Sequence, residues 1–361
     1  IDHMGAAFEI RNETGCRVVA HRGDREVIES GDERRSAADW YGIALAGVPV
    51  DHVMSGESEN LEFALGTLSL LHTPGHTPGS IVGVVDTDAE RARSVAAEAN
   101  CASFTDANEL LDRVDAVSIV VPTTYHLSVA TPFLERGIHM LMEKPIAATR
   151  EEGEALVGLA ERSGAVLQIG HLERFNAGIM ALAERIDQPR YVEAQRMGGF
   201  VERATDVDVV SDLMIHDIDI ILSLMGSELR SISAVGTPVL TEHVDIASAR
   251  LEFANGAVAN VVASRVSDKK TRRIRVFQER MYLSLDFVEQ TIDIAYRNLV
   301  PGAERPEIVR ERIQVEPVKP LDRELEDFVE CVRTGRRPVV DGRVGLEALK
   351  VAIEVQSRIH F

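Results

Sequence analysis

A chain of 361 residues that is 45% hydrophobic is long enough for two or three domains and too apolar for disorder. Its 39 basic and 58 acidic residues give a net charge of -19, which repels nucleic-acid phosphates and anionic lipid, so neither is expected as a partner and an anionic substrate needs a locally basic pocket. The cysteines, Cys16, Cys101 and Cys331, are too far apart for a metal knuckle or a disulfide framework and fit a reducing cytoplasm; no apolar run reaches the length of a membrane span.

The first residues, Ile1-Asp2-His3-Met4, have neither the basic nor the apolar region of a leader and read as a chain cut upstream. Residues 5–80 mix a short helical pattern with strand-like runs at 16–20 and 61–71, broken by Gly and Pro, and look like part of a sandwich. From 81 the pattern becomes apolar strands alternating with amphipathic helices: strands at 82–85, 116–121 and 139–142, helices at 89–98 and 127–136. That alternation predicts βαβ units and a parallel sheet. From 191 onward, strand-like segments at 231–240, 246–253, 256–264, 271–278 and 281–287 follow one another through short turns such as Asn255-Gly256, which predicts an antiparallel sheet. A helix at 208–224 precedes that run and another at 321–333 follows it.

Three strand ends carry polar residues. Val82-Gly83-Val84-Val85-Asp86 ends in the acid that a dinucleotide fold uses on the adenosine ribose, although Asp86-Thr87-Asp88 before a helix suits capping equally well. The strand at 116–121 runs into Pro122-Thr123-Thr124-Tyr125-His126, and the strand at 139–142 into Glu143-Lys144-Pro145. Ligands of open parallel sheets bind at such carboxyl ends.

Glu143-Lys144-Pro145, the loop 122–126 and Asp212-Leu213-Met214-Ile215-His216-Asp217-Ile218-Asp219 together resemble the Gfo/Idh/MocA family of NAD(P)-dependent sugar oxidoreductases, over roughly 82–361. Gly170-His171-Leu172-Glu173-Arg174-Phe175-Asn176 and Arg196-Met197-Gly198-Gly199-Phe200 are similar to the branch that acts on nucleotide-activated amino sugars. The resemblance implies hydride transfer from a sugar hydroxyl, with C3 of UDP-N-acetylglucosamine as the candidate position. A base must take the hydroxyl proton, and a lysine with a lowered pKa can do so. Lys144 is the candidate base. Asp212 and His216, four residues apart, fall on one helix face beside it, with His216 as acid/base partner or orienter and Asp212 fixing the sugar or the lysine. The resemblance places Asp86, Pro122, Thr123, His126, Glu143, Lys144 and Arg174 at an NAD or NADP site, and His171, Arg174, Asn176 and Arg196 at the nucleotide sugar. Met214 stands where the family has Gly. The family's opening strand, glycine-rich turn and helix do not precede Val82, which should weaken cofactor binding and leave neighbouring strands unpartnered. Residues 67–71 are a candidate surrogate strand.

Asp2-His3-Met4-Gly5 and His72-Thr73-Pro74-Gly75-His76-Thr77-Pro78-Gly79-Ser80 resemble the metallo-β-lactamase superfamily. Asp2, His3 and His76 are the candidate metal ligands, but three ligands do not build a closed four-coordinate zinc site or a two-metal clamp, so bound zinc and hydrolysis are not expected.

The expected architecture is α/β and α+β: a truncated metallo-β-lactamase-like segment at 1–80, a partial Rossmann domain at 81–145, and a C-terminal domain at 146–361 with a large, mostly antiparallel sheet through which copies of the chain pair. An NAD(P)-dependent dehydrogenase of nucleotide sugars is the leading function. The alternatives are an inactive fusion serving as an assembly module and a zinc-dependent hydrolase.

Overall fold

The computed structural model describes residues 11, 18–21, 25–32, 46–50, 52–54, 58–63, 66–71, 83–99, 101–200, 207–298, 307–316 and 318–360. The chain divides into two compact units, Ile1–Val114 and Asp115–Phe361, so the segment read as a partial Rossmann domain contributes to both.

In the first unit β1 (Val19–His21) pairs in parallel with β2 (His52–Met54), and α1 (Arg25–Ser30) turns Ile28 onto Val48 and Val50. The apolar run 61–71, expected as one strand, is instead an antiparallel hairpin of β3 (Ser58–Phe63) and β4 (Gly66–Leu71). Among the described strands β4 pairs only with β3, so it does not act as a surrogate partner for the strands that follow. Next come β5 (Gly83–Val85), α2 (Ala89–Ala99) and β6 (Ala102–Phe104), a strand missed in the sequence, which pairs with β5 in parallel. Asp88 starts α2 by accepting the backbone N–H groups of Glu90 and Arg91. The candidate metal ligands Asp2, His3 and His76 lie outside the described residues.

The second unit opens with a three-stranded parallel sheet of β7 (Ala116–Ile119), β8 (His139–Glu143) and β9 (Leu167–Gly170), with α3 (His126–Glu135) and α4 (Arg150–Ser163) as crossovers. α4 has a full capping box between Thr149 and Glu152, and Gly164 closes it at φ +74°, a conformation that favours glycine. β7 and β5 each have one edge with no pairing strand among the described residues. Val120, just past β7, is 72% exposed.

After α5 (Ala177–Ala183), β10 (Tyr191–Met197) enters an eight-stranded sheet in the order β11-β12-β13-β10-β14-β15-β16-β17. Its other strands are β11 (Leu229–Thr237), β12 (Ile246–Phe253), β13 (Val258–Ser264), β14 (Thr271–Gln278), β15 (Met281–Asp286), β16 (Thr291–Asn298) and β17 (Glu307–Gln314); all pairings are antiparallel except β10 with β13. The period of two is strict in β10, where Val192, Ala194 and Arg196 are buried and their neighbours are not. A π-helical turn at Val210–Met214 leads into α6 (Ile215–Met225), which lies on the buried face of this sheet. Small residues there, Ala194, Ala247, Ala249, Ala259 and Ala263, share the core with Ile215, Ile218 and Ile221, so large and small side chains interdigitate. α7 (Pro320–Thr334) and α8 (Gly342–Ser357) complete the unit. Gly345 lets α8 approach β9, since a Cβ there would lie 2.6 Å from Ile169 Cγ1. β16, β17, α4, β9 and α8 were not anticipated from the sequence.

Candidate active site

β8 ends at Glu143, and a cis peptide joins Lys144 to Pro145. The lysine side chain turns toward the π-helical turn: Lys144 Nζ donates to the backbone carbonyl of Asp212 at 2.9 Å and lies 3.6 Å from Asp212 Oδ1. π turns recur at functional sites because they redirect side chains that an α-helix would keep in register. Asp208 secures this one by accepting the backbone N–H groups of Val210 and Ser211. Burial holds the Lys144 ammonium below its ordinary pKa; Asp212 and Glu143 pull it back up, and Arg196 lowers it further.

One turn along, His216 is half-buried, and its Nδ1 is buried with no hydrogen-bond partner among the described residues. Burial and then the cations of Lys144 and Arg196 hold His216 well below the usual imidazole pKa, so it is neutral. The ring of His171 meets that of His216 edge to face, with centroids 6.4 Å apart. His171 is 1% exposed and held neutral mainly by burial, and neither of its nitrogens has a hydrogen-bond partner among the described residues. Lys144, Asp212, His216 and His171 thus converge: a base, a carboxylate and two neutral imidazoles. They match what removing a proton from a hydroxyl needs.

Other residues expected at the site are committed to internal contacts. Arg196 is 4% exposed and forms a two-pronged pair with Asp217, Nε to Oδ2 at 3.0 Å and Nη2 to Oδ1 at 2.9 Å, while Nη1 reaches Glu173 Oε1 at 2.8 Å. Asn176 caps α5 through Oδ1 to the Gly178 N–H and donates to Glu173 Oε2. Arg174 Nη1 pairs with Asp219 Oδ1 at 3.3 Å. The ring of buried His126 lies between the carbonyls of Ile146 and Val121, at 3.2 and 3.0 Å, and ties the ends of β7 and β8 together.

At the carboxyl end of the sheet, exposed Pro122 starts a 3-10 turn containing Thr123, and exposed Glu143 lies over Gly170, where a Cβ would come within 3.3 Å of it. Thr123 and Glu143 thus lie at the carboxyl ends of parallel strands, where open parallel sheets bind ligands. In the first unit, Asp86 Oδ1 accepts the Asp88 N–H and Oδ2 pairs with Arg91, which is the capping alternative read in the sequence. The described residues include no glycine-rich turn leading into a helix. They contain no cluster of three or more metal-ligating side chains and no helix long and apolar enough to cross a membrane.

Sequence reasoning missed two buried carboxylates. Asp219 is 2% exposed and lies one turn beyond His216 on the same helix; its i+7 spacing from Asp212 was the available signal. Glu324, also 2% exposed, has its pKa pushed up to about 8 by burial and by Glu143 and Asp327, and nothing local in the sequence marks it.

The oxidoreductase family model of Gfo/Idh/MocA proteins, with an NAD-binding Rossmann fold, matches residues 65–171, and the model of the family's C-terminal domain matches 179–284. A metallo-beta-lactamase superfamily model matches residues 1–92, so the two matches overlap at 65–92. A UDP-N-acetylglucosamine 3-dehydrogenase from Acidithiobacillus ferrooxidans is 40% identical over 299 residues, 82% of this chain and 95% of that protein. Its solved structure superimposes with a TM-score of 0.73 over 78% of this chain and 90% of that one, at 39% identity. A scyllo-inositol 2-dehydrogenase (NAD(+)) from Bacillus subtilis is 29% identical over 78% of this chain and 89% of that protein.

Proposed function

The chain belongs to the Gfo/Idh/MocA family of oxidoreductases, and on that footing we propose that it oxidises a secondary hydroxyl of a nucleotide-activated sugar, with C3 of UDP-N-acetylglucosamine as the substrate position. The observation that carries this reading is the seating of Lys144, its ammonium disfavoured by burial and its Nζ held at the Asp212 turn beside His216.

When bound, an oxidised nicotinamide supplies the hydride acceptor. Thr123 and Glu143 would face its ribose from the ends of β7 and β8. Neutral Lys144 accepts the hydroxyl proton through Nζ as the carbon–oxygen double bond forms, and the resulting ammonium is stabilised by the Asp212 carboxylate 3.6 Å away. Neutral His216 orients the same hydroxyl from the next turn of the helix. Met214, where relatives of this type have Gly, is fully buried and belongs to the helix packing rather than to the sugar surface.

Cofactor affinity is weak in this reading. The support is local: both Asp86 oxygens are engaged by Asp88 and Arg91, and β5 and β7 each lack a partner on one edge. Losing a helix N-terminus under the pyrophosphate removes the main anion-binding element of such a site. The outward face of the eight-stranded sheet, with Tyr191, Phe277 and Tyr282 in ring contact and Arg275 paired to Glu193, is where a second copy would dock. Titration with NADH, with and without UDP-N-acetylglucosamine, tests the reading: saturable binding that the sugar nucleotide strengthens supports it, and a folded chain that binds neither leaves the inactive assembly module as the function.

A further inference from the structure

Asp219 and His171 form a buried pair that the proton transfer at Lys144 does not use. His171 Nδ1 lies 4.0 Å from Asp219 Oδ2, the residues are 1% and 2% exposed, and neither atom has a hydrogen-bond partner among the described residues. The other Asp219 oxygen is taken by Arg174 at 3.3 Å. A carboxylate this buried requires donors on both oxygens, and the group facing Oδ2 is the His171 ring. Closing the gap to a hydrogen bond needs a shift of about 1 Å, ordinary for a site whose contacts tighten on ligand binding. The charged groups around His171 are Asp219, Lys144 and Arg174; the two cations and burial keep the ring neutral, so only one of its nitrogens carries a proton.

We propose that Asp219 is a positioning residue that fixes His171 as its Nδ1–H tautomer, so that Nε2 is presented as an acceptor to a second hydroxyl of the sugar whose reacting hydroxyl meets Lys144 and His216. The inference rests on the dehydrogenase reading for its ligand, but not for its tautomer. Nε2 lies across the ring from Asp219, is buried, and has no partner among the described residues, as an acceptor awaiting a ligand hydroxyl would be. An acceptor there admits an O–H donor and discriminates against a sugar lacking it, because the desolvated nitrogen is then left unpaired. Arg174 occupies the other Asp219 oxygen, which leaves Oδ2 to the His171 ring.

The test is the tautomer of His171, read from long-range proton–nitrogen NMR correlations of the nitrogen-15-labelled chain and assigned by the signals lost in His171→Gln. The wild type should show Nδ1–H. In Asp219→Asn, Arg174 retains the amide oxygen, so the amide N–H groups face Nδ1 and the tautomer should reverse to Nε2–H. An Nε2–H tautomer in the wild type overturns the proposal even if the variant does not fold. So does an unchanged tautomer in the variant. Affinity for UDP-N-acetylglucosamine, measured by calorimetry, should fall about tenfold in Asp219→Asn while affinity for UDP is unchanged. Equal affinities overturn the hydroxyl contact. No binding of the sugar nucleotide by either chain removes the dehydrogenase reading with that contact, and the spectrum alone then decides Asp219's hold on the ring.

Discussion

Lys144 Nζ is hydrogen-bonded to the backbone carbonyl of Asp212 at 2.9 Å while the carboxylate of the same residue stays 3.6 Å away. The amine is therefore positioned by backbone and tuned by charge, two roles that substitutions separate. Lys144→Ala should lower kcat by about 10²–10⁴-fold, the usual worth of a positioned base, with little change in melting temperature. Asp212→Asn keeps the carbonyl and removes the largest attraction holding the ammonium, so the lysine pKa should fall further and the rate limb should move to lower pH. Steady-state kinetics of both variants check this.

The sign of the pH dependence follows from the same group. The base acts as the neutral amine, so activity should rise with pH and level off below the ordinary lysine value of 10.5. His216, held well below the usual imidazole value by burial and neighbouring cations, should add no limb near 6.5. A kcat/KM profile from pH 5 to 10 reads both.

Glu324 sets a stability dependence of opposite direction. Its folded pKa of about 8 lies above the ordinary 4.5, so the native state binds more protons than the unfolded chain between those values. Its contribution is fully present below about pH 4.5 and is lost as pH rises through about 8, by something on the order of a few kcal/mol. Glu324→Gln, which mimics the neutral acid, should be the more stable chain above pH 8 and should flatten the profile. Urea unfolding at pH 6 and 9 measures the difference.

Arg196 is held by two carboxylates, Asp217 and Glu173. Arg196→Ala would leave Asp217 and Glu173 as buried or nearly buried anions without their cation, and should cost about 3–5 kcal/mol of stability. Asp217→Asn should be milder, since Glu173 still holds the guanidinium. Denaturant midpoints of the two variants order them.

Where one residue pattern repeats along a whole element, the sequence was enough. The strand-like segments 246–253 and 256–264 joined at the Asn255-Gly256 turn announced the antiparallel sheet, and Lys144, Asp212 and His216, singled out as candidates in the sequence, lie near one another in the structure. The run 61–71 was read as one strand-like segment, although its apolar positions change phase from 61, 63 and 65 to 68 and 70 at the turn that makes it a hairpin. Arg196 was read as a ligand contact, and its pairing with Asp217 depends on a helix–strand approach that no local pattern encodes; Asn176, by contrast, caps its own helix and meets Glu173 three residues away. Glu324 was invisible for the same reason: its burial against the Gln168 strand joins positions 156 apart in sequence.

The most direct measurement is turnover of UDP-N-acetylglucosamine by the purified chain at millimolar NAD, following NADH by absorbance and the sugar nucleotide by mass spectrometry. The expected result is one NADH for each sugar nucleotide converted to a ketone lighter by two hydrogens, slow at low cofactor and absent in Lys144→Ala. A folded wild type that forms neither product, or a Lys144→Ala chain that forms both at the wild-type rate, would contradict it.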